Sequence, residues 1–291
     1  MGQRNIMDHR IKGILAAMFA SAMWSTGGIF VKVIDWNPVA LAGVRSLIAS
    51  SVLIAYVKKP KLPKSKTQAI GAIASAATVL SFIIANKLTT SANVILLQYT
   101  SPIFAAILSV WLLKEKIRWY DTLAIVSVFL GMGLFFVNDL SSGNIIGNLL
   151  AIFCGFALAV STIALKMEQE GSPFEITIFG NLLAFIVAIP FILTNLPSFK
   201  TLATVVTMGI FQLGIPYIFY INSLKYITAL EAILITVVEP LLNPLWVYIF
   251  TGEKPSIFAI IGGIIVIVSV TFRSIYVTKN TNKENSLNIN E

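Results

Sequence analysis

Ten long apolar segments dominate this 291-residue chain and limit what it can fold into. A helix that crosses the hydrocarbon core of a bilayer needs about 20 apolar residues, at a rise of about 1.5 Å per residue. The segments meet that length, and short polar or basic stretches separate them. They cover residues 11–31, 38–57, 68–88, 91–113, 120–137, 144–166, 175–194, 201–223, 229–250 and 256–277. The sequence therefore predicts an all-α integral membrane protein with ten transmembrane helices.

The composition excludes two large classes of protein. Hydrophobic residues make up 57% of the chain and charged residues 12%, whereas a soluble domain carries about 25% charged residues. So few charged side chains cannot cover a soluble particle of this size, and a disordered chain needs the opposite composition. The single cysteine, Cys154, excludes disulfide frameworks, iron–sulfur clusters and cysteine-rich zinc sites. We expect neither a metal nor a cofactor.

The basic residues indicate how the chain is oriented. With a cytosolic amino terminus, 16 Lys and Arg residues fall in segments predicted inside, and 4 fall outside. The outside residues are Lys32, Lys87, Lys200 and Lys254. This asymmetry follows the positive-inside rule and predicts that both termini are cytosolic, in a bacterial cytoplasmic membrane. It also argues against a nucleic-acid partner. The net charge of +8 comes from basic residues, and these lie at the positions that membrane topology requires.

The chain contains an internal repeat. A shift of 138 residues places Lys87 on Lys225 and Pro102 on Pro240 without a gap. Each copy contains five predicted helices, and because five is odd, the second copy enters the membrane inverted. Inverted repeats are typical of transporters, although some channels share them. The predicted organisation is a cytosolic tail (1–10), a first repeat (11–143), an inverted second repeat (144–277) and a disordered cytosolic tail (278–291).

Several residues in this order and spacing are similar to those of a known family. They are Trp24, Arg45, Ala49, Pro102, Glu115, Glu239-Pro240 and Gly252-Glu253. Over nearly its whole length, the chain resembles the ten-helix drug/metabolite transporter superfamily, specifically the EamA-type permeases. The resemblance implies export or exchange of small metabolites through a central cavity lined by the first four helices of each repeat. At the helix–loop junctions, Glu115 and Glu253 are expected to satisfy free N–H groups of the next helix.

The residue inventory argues against a membrane-embedded enzyme. The only histidine, His9, lies in the basic amino-terminal tail. A Ser–His dyad and an HExxH zinc site are therefore excluded, and the sequence contains no GxxxxGK loop for nucleotide hydrolysis. We expect a transporter rather than an enzyme.

Two charged residues lie deep inside predicted spans, far from the span ends. Glu239 is near the middle of the ninth segment, where a carboxylate costs several kcal/mol unless it is paired, hydrated or protonated. It is a candidate site for a proton or a substrate ammonium group, or else a packed carboxyl that joins two helices. Arg45 lies about two turns below the outer end of the second segment. It can hold a substrate carboxylate in a bidentate fork, or it can extend to the interface or cap a helix.

Further polar and aromatic residues within the spans are candidates for lining a solute pathway. They are Trp24, Gln98, Tyr99, Asn181, Gln212, Tyr217, Tyr220 and Asn243. Amphipathic rings with a few amides suit an amino acid or an amine. The alternative is that the rings form interfacial belts and the amides join helices.

Together these patterns favour a secondary transporter of small polar metabolites such as amino acids or amines. It would work by alternating access, with Glu239 as the candidate for proton coupling. The alternative is an uncoupled facilitator or channel. The expected partners are the solute and the lipid bilayer. A monomer is compatible with the sequence, which leaves the oligomeric state open.

Overall fold

A computed structural model describes residues 2–26, 34–140, 144–169, 173–251 and 256–287, and within these ranges the chain is helical without a strand. The first half contains α1 (Gly2–Ser25), α2 (Pro38–Val57), α3 (Lys66–Leu88), α4 (Ser91–Gln98), α5 (Ser101–Leu108), a π-helical segment (Ser109–Leu113) and α6 (Trp119–Phe135). The second half contains α7 (Ile145–Met167), α8 (Pro173–Thr194), α9 (Phe199–Thr207), a π-helical segment (Met208–Gly214), α10 (Ile215–Ser223), α11 (Ala229–Ile235), α12 (Val238–Thr251) and α13 (Ile257–Leu287).

Within the described ranges, 7 helical stretches are long and apolar enough to cross a membrane. They are Pro38–Val57, Lys66–Leu88, Ser91–Leu113, Ile145–Met167, Pro173–Thr194, Phe199–Ser223 and Ile257–Thr278. The other three predicted spans differ for separate reasons. The first passes out of the described residues after Thr26, the fifth is a 17-residue helix, and the ninth is divided between α11 and α12. The expectation of an all-α membrane protein is confirmed.

Two helices at equivalent repeat positions begin with the same cap. The Thr90 hydroxyl accepts a hydrogen bond from the Asn93 N–H (3.2 Å), and the Thr228 hydroxyl accepts one from the Glu231 N–H (3.1 Å). Threonine is a favoured N-cap because its side chain satisfies an N–H group that has no partner inside the helix. The 138-residue repeat is therefore visible in local structure as well as in sequence.

Each of these capped helices is interrupted at the matching place. α4 ends at Gln98 before α5 begins, and α11 ends at Ile235 before α12 begins. Pro102 and Pro240 follow the two breaks. Proline has no N–H to donate and disfavours helical backbone at the preceding residue, which accounts for a break at these points. Both repeats thus carry a discontinuous helix.

The two halves pack against each other in a reciprocal way. α1, the first helix of one half, packs on α10, and α7, the first helix of the other half, packs on α3. α2 packs on α8, α6 packs on α13, and α5 contacts α11. Buried side chains from α6, α11 and α13 form one apolar core, which includes Met132, Ile233 and Val266. The halves are therefore interlocked rather than separate domains.

Both chain ends are helical where the sequence predicted tails. α1 begins at Gly2, within the predicted tail, and the Arg10 Nε donates a hydrogen bond to the Thr278 hydroxyl at 3.0 Å. The predicted disordered tail from residue 278 is instead helical through Leu287, and residues 288–291 lie outside the described residues. The physical reason is that this stretch contains no Gly or Pro, and extending an existing helix requires no new nucleation.

Candidate functional site

Arg45 is held by a short relay of hydrogen bonds that joins three elements. The Arg45 Nη1 donates to the Gln212 Oε1 at 3.1 Å, and the Gln212 Nε2 donates to the Trp24 carbonyl oxygen at 3.2 Å. Gln212 lies in the second π-helical segment, and such segments occur frequently at functional sites. The relay leaves the Arg45 Nε without a hydrogen-bond partner among the described residues. The guanidinium is therefore held in place but keeps a hydrogen-bond donor available for a ligand.

Aromatic rings lie beside this relay. The Trp24 ring is 5.7 Å from that of Tyr217 in an edge-on arrangement and 5.2 Å from that of Tyr220, measured between centroids. The Tyr220 hydroxyl is 3.0 Å from the Thr162 hydroxyl on α7. Edge-on and tilted pairs of this kind are the favourable geometry for aromatic rings. Trp24, Tyr217 and Tyr220 form a wall that is apolar along its faces and polar at its tips.

Glu239 faces the same region from the first turn of α12. Its charge interacts electrostatically with Arg45, Tyr99 and Tyr217. Within the described part of the chain, no direct ion pair joins Glu239 to Arg45, and both side chains are partly exposed. A helix start favours a carboxylate, but at membrane depth the charge also needs water or a partner. The two opposite charges thus lie in one region without pairing directly with each other in the described chain.

Three predicted site residues remain: Asn181, Gln98 and Asn243. Asn181 is buried on α8 within interaction range of Tyr217, and its Nδ2 donates to the Thr177 carbonyl at 2.9 Å. Gln98 ends α4, and in the described ranges no hydrogen bond ties its side chain to the others. The Asn243 backbone belongs to α12, but its side chain lies outside the described residues. The structure brings together eight residues, which we call the central cluster: Trp24, Arg45, Tyr99, Asn181, Gln212, Tyr217, Tyr220 and Glu239.

A second set of charges, not singled out as a site from the sequence, lies away from the central cluster. The Arg10 Nη2 is 2.5 Å from the Glu231 Oε1, and the Arg273 Nη2 is 2.7 Å from the Asp121 Oδ1. The Arg273 Nη1 is 3.8 Å from the Glu231 Oε1. We call these four residues the ionic network. The sequence signal for it is Glu231, a carboxylate two residues inside the ninth apolar segment.

Two more charges, both partly buried, lie near the ionic network. The Lys166 Nζ donates to the carbonyl oxygens of Leu224 (2.5 Å) and Ile227 (2.9 Å), just after the end of α10. The carboxyl end of a helix favours a cation. Burial raises the pKa of Glu115 above its ordinary value, and the charge of Lys166 acts in the opposite direction. This end of the protein therefore concentrates ionisable groups.

Helix capping here differs from the expectation for the two glutamates. Asp121 caps α6, since its Oδ2 accepts a hydrogen bond from the Arg118 N–H at 2.8 Å. Glu115 instead lines a pocket of about 300 Å³ together with Asp121 and Arg273. Asp121 is the better cap because it lies in the first turn, whereas Glu115 precedes the helix by four residues. Glu253 lies outside the described residues.

Comparison with known proteins identifies the family. The model of the EamA-like transporter family matches residues 11–137 and, a second time, residues 145–275. The chain belongs to the EamA-like transporter family. The double match agrees with the repeat found in the sequence. It also confirms the resemblance to the drug/metabolite transporters.

Relatives of this EamA-like protein carry transporter names. An uncharacterized transporter of Archaeoglobus fulgidus is 23% identical over 261 residues, which are 89% of this chain and 94% of the relative. An uncharacterized transporter of Bacillus subtilis is 28% identical over 272 residues, covering 88% and 89% of the two chains. One crystal structure shares the fold with a TM-score of 0.80 at 18% identity, over 92% of this chain and 98% of that chain. The family and these names indicate a membrane transporter rather than an enzyme.

Proposed function

We propose that the protein is a secondary transporter of small polar metabolites, foremost amino acids and amines, that works by alternating access. The observation that carries this proposal is the placement of Arg45 and Glu239 in the central cluster. The two opposite charges interact without a direct ion pair in the described chain, and both are partly exposed. Charges at this depth are costly unless water or a ligand compensates them.

The chemistry of the central cluster matches a zwitterion. A carboxylate fits the planar fork of Arg45, whose Nε has no partner in the described residues. An ammonium group fits Glu239 and the aromatic rings of Trp24 and Tyr217, which attract cations. Gln212 holds the guanidinium in place through its bond to Arg45. An amine lacks the carboxylate and would use only Glu239 and the rings.

The proposed architecture is ten membrane-spanning helices in two inverted repeats around the central cluster. Three features support it: the identical threonine caps, the matched helix breaks and the reciprocal packing of the halves. Transporters with inverted repeats use interrupted helices in this way to line the substrate site near the bilayer midplane. Relative movement of the helices around the central cluster would then expose it to each side in turn.

We further propose that both termini face the cytosol of a bacterial cell membrane. The test is a cysteine at Lys61 or at Lys200, both of which are exposed in the structure. In intact cells, a membrane-impermeant maleimide should label Lys200→Cys and leave Lys61→Cys unlabelled. The reverse result would overturn the orientation.

Transport itself is tested by reconstitution into liposomes with a panel of amino acids and amines. We expect saturable uptake that rises under an imposed pH gradient, because Glu239 is the proposed proton-coupling residue. Flux that does not saturate and does not depend on the pH gradient would favour the alternative of an uncoupled facilitator or channel. Liposomes without protein provide the baseline.

A further inference from the structure

The ionic network connects the two halves of the protein. Arg10 on α1 and Asp121 on α6 belong to the first half, whereas Glu231 on α11 and Arg273 on α13 belong to the second. Each of the two short ion pairs, Arg10 to Glu231 and Arg273 to Asp121, crosses between the halves. Separation of the halves at this end must therefore break both pairs.

The ionic network is buried more deeply than the two charges of the central cluster. Glu231 is 1% exposed, and Asp121 and Arg273 are each 4% exposed. Arg45 and Glu239 are partly exposed although both lie within predicted spans. The ion pairs therefore close this end of the protein, and Asp121 and Arg273 also line the pocket of about 300 Å³ beside them. By the distribution of basic residues, the closed end is the cytosolic one.

Two buried polar atoms of the ionic network lack a hydrogen-bond partner in the described structure. In the described structure, the Glu231 Oε2 and the Arg273 Nη1 are buried without a hydrogen bond, and the Nη1 is 3.8 Å from the other Glu231 oxygen. A buried ion pair loses hydration and is often no more stabilising than apolar residues of the same size. When the end opens to water, each charge regains its hydration, and this offsets the broken pairs. Such a contact suits reversible opening better than permanent packing.

The fold does not require charges at this place. The 138-residue repeat puts Asn93 where the second half has Glu231, and the same threonine cap precedes both. The Asn93 Nδ2 donates to the Asn148 Oδ1 at 3.3 Å, so neutral amides join α4 to α7. The equivalent helix start is therefore built without an ion pair. The charges at Glu231 and its partners need a separate explanation.

We propose that the ionic network is the cytosolic gate: its two cross-half ion pairs hold the cytosolic end shut and separate when the cavity opens to the cytosol. This proposal rests on the alternating-access function proposed above. Other charges also lie near the gate. Glu115 is near Asp121 and Arg273, and Lys166 is near Glu231. Lys116 and Arg118 line the same pocket as Asp121 and Arg273.

The test measures how often this end opens, by reaction of a cysteine with a maleimide. The reporter is Leu230→Cys in a Cys154→Ala background, because Cys154 is the only cysteine of the chain. Leu230 is 2% exposed and lines the pocket beside Asp121 and Arg273. Replacing the pair, as Asp121→Asn with Arg273→Gln, should raise the labelling rate of the purified protein about tenfold. Arg10→Gln, which removes only the other pair, should give a smaller rise.

Two controls separate opening of the gate from other effects. Lys59→Gln removes an exposed charge outside the ionic network and should leave labelling of the Leu230 reporter unchanged. A second reporter, Val205→Cys, lies fully buried on α9 in a different apolar cluster and should stay unreactive in the variants. Unchanged labelling at Leu230 in both network variants would overturn the gate, as would equal increases at Leu230 and Val205, which indicate unfolding. The assay contains no solute, so its failure is distinct from a failure of the transport proposal.

Discussion

The Tyr99 hydroxyl donates a hydrogen bond to the Thr236 carbonyl oxygen at 3.2 Å and thereby joins the two helix breaks. In a continuous helix, the carbonyl of Thr236 would accept from the N–H four residues later, but that residue is Pro240, which has none. The carbonyl accepts instead from the Glu239 N–H (3.0 Å) and from Tyr99. The breaks of the two halves are therefore coupled next to the proposed proton-coupling residue.

Replacing Tyr99 with Phe should weaken this coupling without leaving a cavity. We expect a loss of about 1 kcal/mol in the free energy of unfolding, the usual contribution of one hydrogen bond. The maximal transport rate should also fall, because the two breaks no longer move together. The control is Tyr248→Phe, since Tyr248 is 47% exposed and outside the central cluster. Thermal unfolding in detergent and uptake in liposomes are the measurements, and equal behaviour of the two variants would contradict the coupling.

Replacing Arg45 with Lys separates recognition of a carboxylate from a structural role. Lysine keeps the charge but loses the planar fork and its fixed donors. Hydrogen bonds to charged groups contribute about 1.5–3 kcal/mol, so apparent affinity for a zwitterionic amino acid should fall about 10- to 100-fold. Uptake of the corresponding amine should change little. Lys200→Arg, at an exposed position, is the control, and an equal loss for amino acid and amine would leave only the structural interpretation.

Replacing Glu239 with Gln removes a titrating group while it keeps size and hydrogen-bonding capacity. If this carboxyl exchanges protons, uptake driven by a pH gradient should be lost. Exchange of solute for solute should persist for amino acids at reduced affinity, because that half-cycle needs no net proton movement and Arg45 still binds the carboxylate. The two activities are compared at equal amounts of reconstituted protein, with Asp35→Asn at an exposed position as the control. Unchanged gradient-driven uptake would exclude Glu239 as the coupling site.

Glu115 should give the protein a specific pH dependence of stability. Burial raises its pKa in the folded protein above the ordinary value of 4.5, so the folded state binds this proton more tightly than the unfolded state. The resulting stabilisation is fully present below 4.5 and is lost as pH rises through the folded-state value. The melting temperature of the wild type relative to Glu115→Gln should therefore fall as the pH rises from 4.5 through the folded-state pKa of Glu115. A difference that is constant with pH, or that grows as pH rises, would contradict this assignment.

Much of the fold follows from one-dimensional patterns. The lengths of the apolar segments locate most of the helices, and the 138-residue repeat aligns Thr90 with Thr228 and Pro102 with Pro240. The structure then shows matching caps and matching breaks at these residues. Eight of the proposed site residues gather because polar groups inside apolar helices face each other rather than lipid. Gln98 is the contrast: it adjoins Tyr99, and neighbouring helical residues point about 100° apart.

The ionic network could not be predicted in the same way. Arg10 lies in what the sequence suggests is a tail, and Arg273 is one of several basic residues near the last span. Only the packing of α1 and α13 around α11 brings them to Glu231. The two short ion pairs join residues 221 and 152 positions apart, and contacts at such separations carry no periodic signal. The helical character of the last residues was missed because their polar composition suggested disorder.

The central claim, alternating access at the central cluster, is tested most directly by counterflow. Liposomes containing the protein are loaded with an excess of unlabelled amino acid and diluted into a trace of the same labelled solute without a pH gradient. An alternating-access carrier should accumulate label transiently above its external concentration, and Arg45→Lys should reduce this overshoot. Label that only equilibrates, at a rate independent of the internal solute, would contradict the account and indicate a channel.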